Sequence, residues 1–530
     1  MDAAVLSERA GGRGGALALA RRYLPELGLA LVWGALLLYN LGGAAPWWDE
    51  GWTMSVGRNL LERGHYGRLK LGEPAPGGLE AAPPVVGMAA LGMALFGPGV
   101  WQARLVPALC AAGALAALYL LGRRLYGVAV ARGALAALLL LVAHPSVHPL
   151  LIGRQVLGEM PMLLALLLGY LALRQALARS PLWLLAAMPA FALALRIKAQ
   201  TLPFLALSLL APIVVCLALR RWRAAAICAA ALAGGHLALR YGLMPLEGRL
   251  LAGRRLPGEP VAGLVEVVAQ VLLPFNRLFT LQLTLTWLLP LFAGLCYAAW
   301  RWAREARARA PDADALMRLA LIAFSGSWWA WYLAISVGAP RYVFPALVIS
   351  GLFLSALLAD LTGGFAWRTT LRDAAAVVGG GPRRRGLGAM LALLTVMLWA
   401  PVTLLYMGYY YTRSFDSSVE RVAHYLNTTT PPGALIETYE SELHFFLRRP
   451  YHYPPDQLHV ELIRRTSHRQ EFPLDYDPLA TNPDYVVIGT FGANNVLYDE
   501  ALASGRLRLI HHDGLYDVYV PVGGAGEGAP

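Results

Sequence analysis

Lysine is nearly absent from this chain. Of its 45 basic residues only Lys70 and Lys198 are lysines, and all the others are arginines. Charged residues are scarce as well, since they form 15% of the 530 residues against 57% hydrophobic ones, and this balance excludes a soluble globular chain. Cysteine is also rare, and the four cysteines fall inside apolar runs without the spacing of metal ligands. We therefore predict neither a disulfide framework nor a cysteine-based zinc site.

Long apolar runs fill most of the chain instead. Runs of roughly twenty apolar residues recur from residue 24 to about residue 409, which predicts an α-helical polytopic membrane protein with about eleven transmembrane helices. The net charge of +12 would suit a nucleic-acid partner, but most arginines cluster in short loops between the apolar runs. Such clusters report membrane topology, so we predict no nucleic-acid partner.

The arginine clusters give an orientation when they are taken as cytoplasmic. Residues 1–23 then form a cytoplasmic N-terminus, residues 24–410 the membrane domain, and residues 43–100 its first external loop with interfacial helices. Residues 411–522 form an extracytoplasmic domain, and the glycine-rich residues 523–530 form a flexible tail. No cleavable signal peptide is evident, and the bias towards Arg, Ala, Gly and Leu favours the plasma membrane of a GC-rich bacterium.

The character of the sequence changes from about residue 413, where Asp, His, Asn and Tyr become frequent. A helix is predicted over residues 419–426, and short strands over 434–437, 485–488, 507–511 and 517–520. This pattern predicts a small α/β domain. Its histidines, among them His452 and His459, lack convincing metal spacing and are interpreted as surface residues.

Two adjacent acids follow the first apolar run, in Trp47-Trp48-Asp49-Glu50-Gly51. Carboxylates at a membrane boundary are costly in desolvation unless they handle charge, protons or a metal. The alternative is that Asp49 caps an interfacial helix and Glu50 faces water. The two tryptophans are interpreted as part of the aromatic belt of the membrane interface.

Several basic residues fall on the predicted outer side, although arginine clusters were taken to mark the cytoplasmic side. They are Arg58, Arg63, Arg68, Arg154, Arg196, Lys198, the arginines of residues 249–255 and Arg341. A basic outer face beside two acids favours binding of an anionic group such as a phosphate. The alternative is that these side chains extend to lipid headgroups.

Four short motifs follow one another along the chain. They are Asp49-Glu50 with residues 55–61, Pro83-Pro84 with residues 95–97 and 103–105, Arg154 with residues 159–162, and Arg341-Tyr342 with residues 343–345. In this order, over about residues 25–410, the chain resembles the GT-C superfamily of polytopic glycosyltransferases. The specific likeness is to the branch of protein O-mannosyltransferases and aminoarabinose (lipid A) transferases. The chain departs from it at Ala82, where related sequences carry a charged residue or histidine, and the nearest acid is Glu80.

The resemblance implies an enzyme that moves a hexosyl or pentosyl group from a polyprenyl-phosphate carrier to a protein, lipid or envelope glycan at the outer face. It implies that Asp49 is the general base of a single inverting displacement. Glu50 and Glu159 would hold a divalent cation or orient the acceptor. Mg, Mn or Zn on Asp49 and Glu159 is one expectation, and metal-independent transfer is equally open.

The leaving group in such a reaction is a lipid phosphate, which needs positive charge as the glycosidic bond breaks. Arg341 is the first candidate to supply it, followed by Lys198, Arg154 and Arg58. Tyr342 and Glu80 are predicted to line the substrate pocket, and Tyr342 would stack on sugar or belong to the aromatic belt.

Two other classes of protein compete with this interpretation. A polyprenyl-lipid transporter or flippase would also need a cavity for an anionic lipid. Against it, the acids cluster in outer loops, and no two-fold repeat is evident in the sequence. A membrane anchor with an external binding domain would explain the C-terminal part but not eleven membrane spans.

Overall fold

The computed structural model describes residues 13–258, 261–378, 383–471 and 473–523. Residues 1–12 of the predicted cytoplasmic N-terminus and residues 524–530 of the predicted tail lie outside the described residues.

The first part of the chain is almost wholly helical. Its α-helices are α1 Arg13–Leu38, α2 Trp48–Arg63, α3 Pro83–Phe96, α4 Val100–Leu125, α5 Val128–Leu140, α6 Pro149–Gly153, α7 Glu159–Ala178, α8 Leu184–Ile197, α9 Thr201–Ala218, α10 Trp222–Leu237, α11 Met244–Leu250, α12 Leu264–Ala269, α13 Pro274–Leu283, α14 Leu289–Ala308, α15 Ala313–Ala334, α16 Phe344–Leu361, α17 Trp367–Val378 and α18 Arg383–Thr412. Short 3-10 turns (Pro145–Val147, Pro181–Trp183, Pro340–Val343), π-helical turns (Ala238–Leu243, Thr284–Leu288) and one hairpin (β1 Leu69–Lys70, β2 Glu73–Pro74) connect them.

Seven helical segments in the described ranges are long and apolar enough to cross a membrane. They are Val100–Leu125, Glu159–Ala178, Thr201–Ala218, Trp222–Leu250, Pro274–Ala308, Pro340–Leu361 and Gly386–Thr412. Shorter apolar helices are Tyr23–Leu38, Pro83–Phe96, Val128–Leu140 and Pro181–Ile197. The predicted polytopic helical fold is confirmed, whereas the number of eleven spans stays a prediction.

The segment Pro340–Leu361 is the central one, since 89% of the residues in its most apolar 18-residue stretch are buried inside the protein. It packs against α5, α14 and α15. Its N-terminal end carries Arg341 and Tyr342, so the most enclosed helix of the bundle positions two predicted site residues. The starts of α7 and α16 and the end of α8 meet at this same end.

The C-terminal part contains a five-stranded sheet. Its elements are α19 Ser418–Thr429, β3 Ile436–Thr438, α20 Ser441–Phe446, β4 Tyr451–His452, α21 Asp456–His468, β5 Tyr485–Ile488, α22 Thr490–Asn494, α23 Asp499–Ala503, β6 Leu507–Asp513 and β7 Tyr516–Pro521. The strand order is β4-β3-β5-β7-β6, with parallel pairing on the β3 side of β5 and antiparallel pairing from β5 to β6. The predicted small α/β region is confirmed, and β4, α20, α21, α22 and α23 are additions to the predicted elements.

The two faces of this sheet bury different partners, because successive side chains of a strand point to opposite sides. Val487 and Val518 pack with α19 in one apolar cluster. Val486 and Ile488 pack on the other face with α21 and with Trp48 and Trp52 of α2. The helix that follows the first apolar helix is therefore part of the core of the C-terminal sheet.

Candidate active site

Glu50 ties the start of α2 to the membrane helices. Its side chain is 1% exposed, and both its oxygens accept hydrogen bonds from Arg104 of α4, at 2.9 and 2.7 Å. The same carboxylate accepts the backbone N–H of Val156 at 2.8 Å and, within its own helix start, that of Trp47 at 3.1 Å. Glu50 does not line the cavity described below. The contacts of Glu50 therefore join segments of the protein. They do not place it in the cavity, where it was predicted to hold a cation or orient an acceptor.

Asp49, one residue earlier, points into a cavity of about 330 Å³. Its side chain is 30% exposed, and Oδ2 accepts a hydrogen bond from the guanidinium of Arg341. Within the described ranges Oδ1 has no hydrogen-bond partner. The carboxylate is thus held at one oxygen and open at the other, as a proton acceptor requires.

A second ion pair lines the same cavity. Lys198, which directly follows α8, donates from Nζ to Oε1 of Glu159 at 2.5 Å. Glu159 begins α7, where the partial positive charge of the helix N-terminus favours a carboxylate. Its side chain is 2% exposed, and Oε2 is buried without a partner in the described part of the chain. The cavity therefore contains two acids and two cations that neutralise one another.

Aromatic and apolar side chains complete this cavity. Tyr342 lines it as predicted, together with Trp48 and Trp52 of α2 and His459 of α21. Trp48 is 6% exposed and belongs to the core of the C-terminal sheet, so its predicted place in the aromatic belt is wrong, whereas Trp47 is 41% exposed.

A second cavity, of about 410 Å³, meets the first at Arg341 and Leu157. Most of its lining is apolar or aromatic: Trp47, Pro145, Leu151, Ile152, Ala339, Pro340, Tyr406 and Tyr410, with Ser146 and Gln155 as polar members. The guanidinium carbon of Arg341 lies 4.8 Å from the centroid of the Trp47 ring. Arg341 is thus the cation shared by a charged cavity and a mainly apolar one.

Arg154 and Arg58, two predicted phosphate ligands, lie elsewhere. Arg154 is 4% exposed and donates to the carbonyl oxygens of Leu36 and Asn40, both at 2.7 Å. Arg58 donates to the carbonyl oxygens of Phe445 and Leu447, at 2.6 and 3.1 Å, and to Glu62. Neither residue lines the cavity, because each guanidinium satisfies backbone carbonyls that join separate segments.

Glu80 lies beside the cavity and not in its wall. Leu79, Ala81 and Ala82 line the cavity, while Glu80 accepts the backbone N–H of Gly78 at 2.5 Å. Its other oxygen, Oε1, is buried without a partner among the residues that the structure describes. Glu80 therefore does not line this cavity, in contrast to its predicted place in the substrate pocket.

The predicted metal ligands do not fit a divalent cation in this arrangement. Asp49 and Glu159 each pair with a cation of the protein, Arg341 and Lys198. Across the described ranges no group of three or more His, Cys, Asp or Glu side chains could hold a metal ion. We derive no step of the chemistry through a metal.

His459 and Arg104 are the site residues that sequence reasoning missed. His459 was interpreted as a surface residue, because nothing in its local sequence links it to residues about 410 positions earlier. Burial lowers its pKa, against the opposing charges of Asp49 and Asp456, so the imidazole is neutral near pH 7. Arg104 stood in a recognised motif, but only the fold shows that it is the partner of Glu50.

Solved structures with the same arrangement of helices exist. The crystal structure of ArnT from Cupriavidus metallidurans, bound to undecaprenyl phosphate, matches with a TM-score of 0.60 and 17% identity over 95% of this chain and 98% of that chain. The chain has the GT-C fold.

Other comparisons agree with the GT-C fold. The archaeal oligosaccharyltransferase AglB from Archaeoglobus fulgidus, in complex with an inhibitory peptide and a dolichol-phosphate, matches with a TM-score of 0.52 and 14% identity over 95% of this chain and 75% of that chain. The family model of dolichyl-phosphate-mannose-protein mannosyltransferase matches residues 81–239. That match includes Arg104, Glu159 and Lys198 of the GT-C chain. No curated protein matches this chain significantly.

Proposed function

We propose that the chain transfers a glycosyl group from a polyprenyl-phosphate carrier to an acceptor hydroxyl or amine, with Asp49 as general base. The observation that carries the proposal is the Asp49–Arg341 pair at the junction of a charged cavity and a mainly apolar one. In this proposal the site faces the outside of a bacterial plasma membrane, the N-terminus is cytoplasmic and the C-terminal domain is extracytoplasmic.

The two cavities suit the two ends of such a donor. The mainly apolar cavity suits the first isoprenoid units, and Arg341 at its junction with the charged cavity suits the phosphate. Lys198 adds a second positive charge in the charged cavity. The ArnT structure contains undecaprenyl phosphate and the AglB structure contains a dolichol-phosphate, so both relatives in fold bind carriers of this class.

Donor binding changes the partners of the acids. A phosphate that binds Arg341 and Lys198 competes with Asp49 and Glu159 for the same two cations. Two unit charges about 4 Å apart interact by roughly 4 kcal/mol at an effective dielectric constant of 20, so the exchange removes a sizeable favourable interaction from each carboxylate. It leaves the Asp49 carboxylate more basic once the donor is in place. Base activation is thereby linked to donor binding.

The chemical step follows from these positions. The acceptor oxygen or nitrogen attacks the anomeric carbon, and its proton passes to the carboxylate of Asp49. The bond between the anomeric carbon and the phosphate oxygen breaks, and its electron pair stays on the phosphate, where Arg341 and Lys198 offset the charge. A single displacement of this kind inverts the anomeric configuration. Before the donor binds, Glu159 holds Lys198 in the cavity. Tyr342 stacks on the sugar of the bound donor.

The test uses the purified protein in lipid nanodiscs with a panel of radiolabelled polyprenyl-phosphate sugars. We expect the wild type to release polyprenyl phosphate from one of them, and Asp49→Asn to lower that rate about 10²- to 10⁴-fold, the usual contribution of a general base. Asp475→Asn is the matched control, because Asp475 is an exposed carboxylate of the C-terminal domain.

Two results would contradict the proposal. Full release by Asp49→Asn would remove Asp49 as the base. Binding of labelled lipid without release, together with its movement across vesicles, would instead establish the polyprenyl-lipid transporter.

A further inference from the structure

The C-terminal domain docks directly onto the start of α2. The indole N–H of Trp48 donates to the carbonyl oxygen of Tyr439 at 3.0 Å, and the hydroxyl of Ser441 donates to the carbonyl oxygen of Trp48. A Cβ atom on Gly51 would lie 2.2 Å from Cα of Glu442, so the two backbones leave no room for a side chain there. The helix that carries Asp49 is therefore held on one side by this domain.

His459 brings the domain into the cavity itself. Its ring stacks on that of Trp48, with centroids 4.7 Å apart and planes inclined by 17°. Its Nδ1 lies 2.5 Å from the hydroxyl oxygen of Tyr439. Nε2 makes no hydrogen bond to any residue that the structure describes, and the side chain lines the cavity beside Asp49.

The contribution of this domain distinguishes the two cavities. His459 and Ile463 line the cavity with Asp49, whereas no described residue of the C-terminal domain lines the mainly apolar one. Since the donor chain needs the apolar cavity, the wall formed by α21 is left for the second substrate.

We propose that His459 binds the acceptor, with Tyr439 donating to Nδ1 so that the proton lies on Nε2. Nε2–H then donates to an oxygen of the acceptor next to its nucleophilic group, such as a neighbouring hydroxyl or carbonyl oxygen. The stacking on Trp48 fixes the ring, so the nucleophile is presented to Asp49 with its proton towards the carboxylate. This inference rests on the proposed function and adds that the acceptor carries an oxygen beside the reacting group.

The experiment measures transfer of the labelled sugar from the donor that the wild type uses, with increasing amounts of a detergent extract of bacterial envelope as acceptor. His459→Ala is expected to raise the half-saturating amount of extract about tenfold, as for the loss of one substrate hydrogen bond. Binding of fluorescent undecaprenyl phosphate is expected to be unchanged. His424→Ala is the matched control, since His424 is an exposed histidine of the same domain.

Two further variants separate binding from folding. His459→Gln is expected to recover part of the affinity for the extract, because its amide N–H reaches a position similar to that of Nε2. Tyr439→Phe keeps the aromatic ring and removes the hydroxyl that orients His459, so a smaller rise is expected. If His459→Ala does not fold, a half-saturating amount equal to that of the wild type in both of these variants overturns the proposal.

The remaining outcomes are distinct. A wild type that releases carrier while His459→Ala behaves like His424→Ala overturns the role of His459 and leaves the proposed function standing. A parallel loss of undecaprenyl phosphate binding in His459→Ala also overturns it, because the residue would then act on the donor or on the fold. A wild type that releases no carrier from any donor ends both proposals.

Discussion

Two ion pairs start at adjacent residues of α2 and differ in almost every physical respect. The Glu50–Arg104 pair is buried, with side chains 1% and 3% exposed, and backbone N–H groups fill the remaining sites of the carboxylate. The Asp49–Arg341 pair faces a cavity, with side chains 30% and 23% exposed, and one oxygen of Asp49 is open. A saturated buried pair holds segments together, whereas an unsaturated accessible pair can exchange its partners for a ligand.

The same difference recurs among the basic residues. The guanidinium groups of Arg154 and Arg58 donate to backbone carbonyl oxygens and so link separate segments of the chain. Arg341 and Lys198 are bound mainly to carboxylates that line the cavity. A phosphate can take the place of a carboxylate at such a cation. Replacing a backbone carbonyl that an arginine binds would instead separate two parts of the fold.

The largest expected effect tests the buried pair. Glu50→Gln leaves the Arg104 guanidinium buried without its counter-charge, and breaking a buried pair in this way costs about 3–5 kcal/mol. We expect a large fall in the thermal midpoint of the purified protein and a loss of folded yield. Asp49→Asn should leave the midpoint near that of the wild type. Equal midpoints for the two variants would show that burial does not separate the two acids.

A smaller effect tests the basic residues. Lys198→Gln is expected to weaken binding of undecaprenyl phosphate about ten- to a hundredfold, the loss of one charge-assisted contact of about 1.5–3 kcal/mol. Arg58→Gln is the comparison, because it removes the same charge at a residue bound to the carbonyl oxygens of Phe445 and Leu447. Titration of nanodiscs with the fluorescent lipid measures both. Equal weakening by the two variants would mean that general surface charge, and not the cavity, binds the phosphate.

The smallest expected effect is a pH dependence where α2 meets the C-terminal domain. Burial, together with the charge of Glu440, raises the pKa of Glu442 to about 8. The folded state therefore binds a proton that the unfolded state releases between about pH 4.5 and pH 8, and stability falls as the pH rises through this window. We expect the thermal midpoint to fall by a few degrees between pH 5 and pH 9.

Glu442→Gln should flatten this decline, because an amide does not titrate. Some slope remains from Glu440, whose pKa is also raised by burial although three backbone N–H groups bind its carboxylate. An unchanged slope in Glu442→Gln would show that the buried carboxyl is not the titrating group.

The sequence was informative wherever a local pattern decides the structure. Apolar runs of about twenty residues predicted a polytopic helical chain, and the described helices confirm it. Four predicted site residues of the short motifs, Asp49, Glu159, Arg341 and Tyr342, line one cavity together with the separately predicted cation Lys198.

The remaining features depend on contacts between distant segments. The sequence does not show which of the two adjacent acids pairs with Arg104, since Arg104 lies 54 residues after Glu50. The arginines that were predicted on the outer side look alike in the sequence, whether their guanidinium groups bind backbone carbonyls or carboxylates. His459 belongs to a helix that the sequence did not predict, and its neighbour Trp48 lies over 400 positions earlier.

The shared core of α2 and the C-terminal sheet also has a consequence for how the protein is made. Trp48 and the carbonyl group that its indole binds are 391 residues apart, so most of the 530-residue chain is synthesised between them. Until the last strands emerge, α2 has large aromatic side chains without the core that covers them in the folded protein. The part of the cavity wall that His459 and Ile463 supply therefore forms only after the C-terminal part of the chain has been synthesised.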